Sequence, residues 1–379
     1  MQNVPFYDPT KSYDENYDQG PYGAFANGET LSQSGEPEYD FLGQKVYLPL
    51  GIAPGPLINS NFCKAAFQKG FDIAVYKTVR SNFHPSHPFP HVLSVKVDGD
   101  LTFKQAEEGV VADTDYQQLR SITNSFGVPS KEPAVWQEDV RKAISYADKG
   151  QVLVLSFMGT VRENQLQWEF IEDYALAARL AAEIGVKILE VNLSCPNVGS
   201  KERVCYDFEV TEKVCKAVRR EIGNIPLIMK VGYYQTDEEI KRIAEIAEKY
   251  AQAIANINAI QAKILDKNGN QAFGQGRAIS GVCGAAIKWA GLEMVKRHKK
   301  IREQLGFSYQ IIGIGGVMTP KDFFEYRGAG ADVVQSATGA MWNPYLAKEI
   351  KEKEKIKEEL LGQIAPAAIV GEITLPDPA

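Results

Sequence analysis

Eight short β-branched runs separated by helical segments constrain the fold of this chain more than any other feature of its sequence. The runs are VYLPLGIA, FDIAVYKTV, VLVLSFMG, KILEVNLS, PLIMKVGY, AIANINAI, QIIGIGG and ADVVQSA. Between them lie amphipathic stretches, such as residues 163–184 and 236–250, whose apolar residues recur at intervals of three and four. Repeated strand, helix and strand predict parallel pairing with right-handed crossovers. Eight strands favour an α/β fold of the (β/α)8 TIM-barrel type over an open doubly wound sheet.

Three segments are predicted along the chain. Residues 1–44 are polar and aperiodic, which indicates an irregular extension; residues 45–362 form the barrel, and residues 363–379 form a C-terminal tail. Within the barrel, HVLSVKVDGDLTFK at 91–104 alternates by twos around Asp98-Gly99, which predicts a hairpin. Long insertions after a barrel strand usually belong to the active-site face, so we expect this one there.

The composition argues against several partners. A net charge of −6 and a pI near 5.5 disfavour binding to nucleic acid or an anionic membrane surface. No run approaches the roughly 18 apolar residues of a membrane span, and residues 1–44 lack a signal-peptide pattern, so a cytoplasmic location is expected. The five cysteines include no CxxC pair, which predicts reduced thiols and no metal centre.

Polar residues and glycines collect where the predicted strands end, which is where TIM barrels place their chemistry. In chain order these residues are Ala53, Gly55, Lys77, Thr78, Asn192, Cys195, Asn197, Lys230, Asn256, Asn258, Gly315, Gly316, Ala337 and Thr338. The glycines after strands seven and eight, followed by helix starts at Thr319-Pro320 and Asn343-Pro344, indicate a phosphate cradle.

Two of these residues, Lys77 and Lys230, are costly to bury in a barrel mouth without an anionic or electron-rich partner. A flavin suits both, because a lysine beside the N1/O2 edge of its ring stabilises negative charge on the reduced form. In NLSCPN, Cys195 lies between two carboxamides at the pocket rim, whereas Cys63, Cys205, Cys215 and Cys283 are interpreted as packing residues.

From Val46 to Lys351 the chain resembles the dihydroorotate dehydrogenases, and within them the soluble class 1A enzymes. The most specific match is LEVNLSCPNVGSKERVCYDFEVTEKVCKAV at 189–218, supported by YKT, NSFGVP, MKV, NINA, GVCGAAIK and IIGIGGVMTPKDFFEYRGAGADVVQSAT. The resemblance implies oxidation of dihydroorotate to orotate in pyrimidine biosynthesis, with FMN as cofactor, a soluble electron acceptor such as fumarate, and a homodimer.

The same resemblance assigns roles to individual residues. It makes Cys195 the base that takes the C5 proton while hydride passes to N5 of FMN. It makes substrate ligands of Lys77, Asn124, Asn192, Asn197 and Asn258. It assigns to the cofactor Ala53, Gly55, Lys77, Thr78, Asn192, Lys230, Gly284, Gly315, Gly316, Ala337 and Thr338.

Three positions depart from the family's pattern. Ala259 stands where a serine usually follows the substrate-binding Asn, Ala337 replaces a common Gly, and HPSHPFPHV replaces a Gly-Asn-Pro-x-Pro-Arg stretch, with His91 near the place of the Arg. Two alternatives therefore remain open. One is a related dihydropyrimidine dehydrogenase-like flavin reductase; the other is a non-redox phosphate-binding barrel lyase or synthase with Lys77 or Lys230 as Schiff-base former.

Overall fold

The computed structural model describes residues 4–117, 121–194 and 204–364. Eight parallel strands close into a barrel, as the sequence predicts. They are β1 (Leu50–Ile52), β2 (Ile73–Val79), β3 (Val152–Phe157), β4 (Ile188–Asn192), β5 (Leu227–Lys230), β6 (Ala253–Asn256), β7 (Gln310–Ile314) and β8 (Val333–Ser336). Each of the eight β-branched runs contains one of them, so the predicted fold class is confirmed.

Helices in the described residues cover the barrel and flank its additions. They are α1 (Tyr13–Gln19), α2 (Ser60–Gln68), α3 (Phe103–Glu108), α4 (Pro133–Ser145), α5 (Gln167–Ala182), α6 (Phe208–Ile222), α7 (Asp237–Tyr250), α8 (Lys288–Leu305), α9 (Pro320–Ala329), α10 (Thr338–Trp342) and α11 (Leu346–Ile364). Helix α7 shows the local logic. Thr236 and Glu239 form a capping box at its start, and Ile240, Ile243 and Ala247 bury one face.

The strand registers define which side chains share a level inside the barrel. Summed over the eight strand pairs from β4 around the barrel and back to β4, the register shifts by eight residues, which is the stagger typical of a TIM barrel. Alternate strands then supply each layer. One layer contains Val75, Glu190, Ala255 and Gln335; the next toward the strands' carboxyl ends contains Ala53, Ser156, Lys230 and Ile314; the layer above contains Lys77, Asn192, Ile257 and Ala337.

A second sheet, here called the cap sheet, joins the insertion after β2 to the segment after β6. Its five strands are Val92–Val95, Val110–Asp113, Ser121–Asn124, Ile260–Leu265 and Ile279–Gly284. The first two pair antiparallel, with Ser94 opposite Asp113, so the insertion contains a hairpin, as predicted. Its predicted position within 91–104 is wrong: Asp98-Gly99 is not a two-residue turn, because Thr102 caps helix α3 and the second strand begins only at Val110.

The segment before the barrel carries more regular structure than its composition indicates. Ser12 and Glu15 form a capping box that begins α1, and strand Tyr39–Phe41 pairs with strand Gln44–Val46. Phe41 and Val46 are fully buried among the apolar residues of the barrel's lower interior. This small hairpin therefore closes the end of the barrel opposite the strands' carboxyl ends. No helix in the described residues is long and apolar enough to cross a membrane.

Candidate active site

One cavity lies between the carboxyl ends of the barrel strands and the cap sheet. The space between its lining residues is about 1140 Å³, including a part that is open to solvent. Most of the sequence-predicted site residues line it. These are Ala53, Gly55, Lys77, Thr78, Asn124, Asn192, Lys230, Asn258, Gly284, Gly315, Gly316, Ala337 and Thr338. Cys195 and Asn197 lie outside the described residues.

Lys230 ends β5 and reaches the cavity from the barrel interior. It is 3% exposed, and no described residue accepts a hydrogen bond from it. Burial lowers the pKa of this lysine, while the attraction of Glu190 and Cys283 opposes that change. A nearly buried ammonium that faces a cavity is a site for an anion or an electron-rich ring edge.

Lys77 reaches the same cavity from the layer above. Its Nζ atom lies 5.4 Å from the centroid of the Phe126 ring, within cation–π range. The ring of His91 also stacks on the Phe126 ring, at a centroid distance of 5.5 Å. His91 is buried behind Phe126 and does not line the cavity, so it does not take the place of a strand-end arginine there.

Side-chain amides at the rim are held by hydroxyl groups. Asn192 donates from Nδ2 to Oγ1 of Thr78 at 3.3 Å, and Thr78 in turn is 3.0 Å from Oγ of Ser156. Asn258 donates from Nδ2 to Oγ of Ser194 at 3.2 Å. Ser194 is the last residue of the described segment 121–194, and in the sequence it directly precedes Cys195, the predicted base.

Cys283 corrects the interpretation of the remaining cysteines. It lines the cavity, whereas Cys63, Cys205 and Cys215 are fully buried in the core as predicted. Its thiol lies 3.8 Å from Nδ2 of Asn124 and 3.9 Å from the backbone oxygen of Asn258. Burial raises the pKa of this thiol to about 11, with Lys230 opposing the shift. Its position directly before Gly284, a predicted cofactor residue, was the available signal in the sequence.

Glycines after β7 and Thr338 after β8 form one wall of the cavity. Gly315 and Gly316 have φ angles of 126° and 67°, which side chains rarely adopt, and a Cβ on Gly316 would lie 2.6 Å from Cβ of Lys288. Oγ1 of Thr338 is buried without a hydrogen-bond partner in the described part of the chain. The helix after β8 begins at Thr338 rather than at the predicted Asn343-Pro344, because α10 precedes α11.

These features fit a phosphorylated flavin. The bare glycine backbone and the unpaired hydroxyl of Thr338 suit a phosphate, and the buried ammonium of Lys230 suits the electron-rich edge of a ring. Ala259 and Ala337, which depart from the family's pattern, both line the cavity without closing it. The fold and the site together define a cofactor-binding barrel of the oxidoreductase class.

Comparison with known proteins identifies the family. The family model described as dihydroorotate dehydrogenase matches residues 38–360. A dihydroorotate dehydrogenase of Dictyostelium discoideum is 36% identical over 361 residues, which cover 91% of this chain and 96% of that protein. The chain therefore belongs to the dihydroorotate dehydrogenase family and is an oxidoreductase.

Two further relatives are named for two different enzymes. The NAD-dependent dihydropyrimidine dehydrogenase subunit PreA of Escherichia coli (strain K12) is 30% identical over 321 residues, covering 80% of this chain and 68% of that protein. A putative dihydroorotate dehydrogenase A (fumarate) of Streptococcus agalactiae is 29% identical over 228 residues, covering 60% of this chain and 68% of that protein.

Proposed function

We propose that this chain catalyses the FMN-dependent oxidation of dihydroorotate to orotate, the oxidative step of pyrimidine biosynthesis. The observation that carries the proposal is one cavity that combines two buried lysines, strand-end glycines and the side-chain amides of Asn192 and Asn258. A barrel with only one of these groups would be compatible with many chemistries. The Dictyostelium relative, similar over nearly its full length, supports the same substrate.

For the cofactor, we propose that Gly284, Gly315, Gly316 and Thr338 surround the phosphate of FMN. Lys230 would lie at the N1/O2 edge of the ring. The remaining cofactor contacts in this proposal are Ala53, Gly55, Lys77, Thr78, Asn192 and Ala337. When bound, FMN would supply the hydride acceptor at its N5 atom.

For the substrate, Lys77, Asn124, Asn192, Asn197 and Asn258 would hold the pyrimidine ring and its carboxylate. Sγ of Cys195 would take the proton from C5 of dihydroorotate, and the C6 hydrogen would leave as hydride. A thiol with a pKa near 8.5 is partly ionised at neutral pH, so it serves as a base with less assistance than a hydroxyl needs. Both hydrogens are then accounted for, and the new C5–C6 double bond completes orotate.

The electron acceptor in this proposal is fumarate, which would take up two electrons and two protons to give succinate. The name of the Streptococcus relative includes fumarate. The homodimer in this proposal rests on class analogy. The cytoplasmic location and the division into an extension, a barrel of residues 45–362 and a tail rest on the composition and pattern of the sequence.

A dihydropyrimidine dehydrogenase is the second candidate, because the Escherichia coli relative is named as a subunit of such an enzyme. The two candidates differ in whether the substrate carries a carboxylate. Lys230 is assigned to the flavin, but Lys77 is a cationic group of the described cavity that the proposal also places at the substrate, and this favours an acidic substrate over a neutral one.

A side-by-side assay separates these functions. Purified protein should be yellow from bound FMN and should oxidise dihydroorotate with a dye or fumarate, but not dihydrouracil or dihydrothymine. Turnover of the neutral dihydropyrimidines alone would establish the second candidate. A colourless protein that takes up no added FMN would refute the proposed cofactor.

A further inference from the structure

A buried carboxylate lies inside the barrel, one layer below the ammonium of Lys230. Glu190 on β4 is fully buried, and neither of its carboxylate oxygens makes a hydrogen bond of good geometry with a described residue. The hydroxyl of Ser156, a neutral group in the layer of Lys230, lowers the pKa of Glu190 together with Lys230. Glu190 shares its layer with Val75, Ala255 and Gln335, none of which carries a charge. An ionised carboxylate in such a layer is costly unless a cation compensates it.

Lys230 is the cation that can do so. In the register of β4 and β5, Glu190 pairs with Ile228 and Asn192 pairs with Lys230, so the two charged side chains point into the barrel from adjacent strands and adjacent layers. Burial raises the pKa of Glu190 and Lys230 opposes that shift, while Glu190 in turn opposes the effect of burial on Lys230. Each group is thus the counter-charge of the other.

The remaining groups near the pair do not substitute for Glu190. Cys283 is the other acidic group that attracts Lys230, but burial raises its thiol pKa to about 11 and keeps it neutral at physiological pH. Lys77, in the layer above, is itself a cation. Among the described residues, Glu190 is therefore the only buried anion that faces Lys230 from the barrel interior.

We propose that Glu190 is a positioning residue that keeps Lys230 protonated and directed into the cavity, in both redox states of the enzyme. This inference rests on the proposed function, because it concerns the cation assigned to the flavin edge. Glu190 does not line the cavity, so in this proposal it acts through Lys230.

The test is the pH dependence of the midpoint potential of the bound flavin in the full-length protein, measured by dye-coupled reductive titration. In Glu190→Gln, the buried Lys230 loses its counter-ion and its proton near neutral pH. It then takes up one extra proton for every two electrons. The potential should fall by about 30 mV more per pH unit than in the wild type. An unchanged slope would refute the proposal.

Two further variants keep the result interpretable. Gln335→Met removes a polar group from the same layer without changing charge, and should leave the slope unchanged; a slope that moves as in Glu190→Gln would assign the effect to layer polarity and refute the proposal. In Glu190→Gln/Lys230→Met neither charge of the pair remains, and the lysine that would take up the extra proton is gone, so the slope should return to the wild-type value.

Folding provides a readout that does not need the flavin. If Glu190→Gln is too unstable to purify, the proposal predicts that Lys230→Met rescues it, because the uncompensated ammonium is removed. Equal destabilisation by Glu190→Gln in both backgrounds would indicate mere packing and refute the proposal. A wild-type protein without FMN would defeat the proposed function, while this stability cycle would still test the Glu190–Lys230 coupling.

Discussion

The thiol of Cys283 lies 3.8 Å from the side-chain nitrogen of Asn124, and both residues line the cavity from neighbouring strands of the cap sheet. The same thiol is 3.9 Å from the backbone oxygen of Asn258, on the loop after β6. Cys283 therefore links two asparagines that we propose as substrate ligands. These contacts are long and weak, so their value lies in orientation more than in stability.

We predict that Cys283→Ala raises KM for dihydroorotate by about two- to fivefold, with kcat and FMN content nearly unchanged, because loss of a weak contact costs roughly 0.5–1 kcal/mol. Cys283→Ser should stay closer to the wild type, since a hydroxyl can bridge the same two groups. Cys215→Ala, in the core of α6, is the matched control and should leave KM unchanged. Steady-state kinetics decide; an unaltered KM in Cys283→Ala would show that the thiol only packs.

Replacement of the proposed base should separate chemistry from cofactor binding. Cys195→Ser should stay yellow, while flavin reduction by dihydroorotate slows by about 10²–10⁴-fold at neutral pH and recovers partly as pH rises. The physical reason is that a hydroxyl ionises far less readily than a thiol. Stopped-flow absorbance of the flavin measures this rate directly. Loss of FMN in Cys195→Ser would mean that the residue has a structural role instead.

The eight barrel strands were predictable because strands buried on both faces leave near-continuous apolar runs in the sequence. The strand-end residues Lys77, Asn192 and Lys230 were predictable for a related reason: a charged or amide group that interrupts such a run must face a polar site. All three side chains point into the barrel interior. The number of strands and the alternation of side chains along each strand are enough to predict this.

The layers and the cap sheet required the structure. The sequence shows that Glu190 belongs to a strand but not that it lies near Lys230. That proximity follows from the register of β4 and β5, which no local sequence pattern specifies. The strand Ile279–Gly284 joins the insertion after β2 through long-range pairs such as Cys283 with Ile122, which sequence periodicity does not encode. Cys283 was therefore interpreted as a packing residue, although it lies at the cavity.

Thr338 offers a direct test of the phosphate site. In Thr338→Val, which keeps the shape of the side chain, FMN should bind about tenfold more weakly, because a hydrogen bond to a charged group is worth roughly 1.5 kcal/mol. Thr123→Val is the matched control: its hydroxyl is also buried and unpaired among the described residues, but it does not line the cavity. Fluorescence titration of flavin-free protein with FMN gives both affinities, and equal weakening in the two variants would argue against a phosphate contact at Thr338.

His298 should make folding stability sensitive to acid. It is fully buried on α8, its Nδ1 atom is 3.2 Å from the hydroxyl of Tyr309, and burial lowers its pKa from 6.5 to about 3, helped by Arg297 and Arg302. Between about pH 6.5 and pH 3, His298 is therefore protonated in the unfolded chain but neutral in the folded chain. The contribution is therefore complete above pH 6.5 and declines as pH falls toward 3. Between pH 7 and pH 5 the free energy of unfolding should therefore fall by about 2 kcal/mol because of His298.

The side chain in His298→Gln cannot titrate, so the free energy of unfolding of this variant in urea should fall less over that interval by the same amount. Because each protein is compared with itself at two pH values, the packing cost of the substitution cancels, and an identical decline in both proteins would exclude His298 as the titrating group.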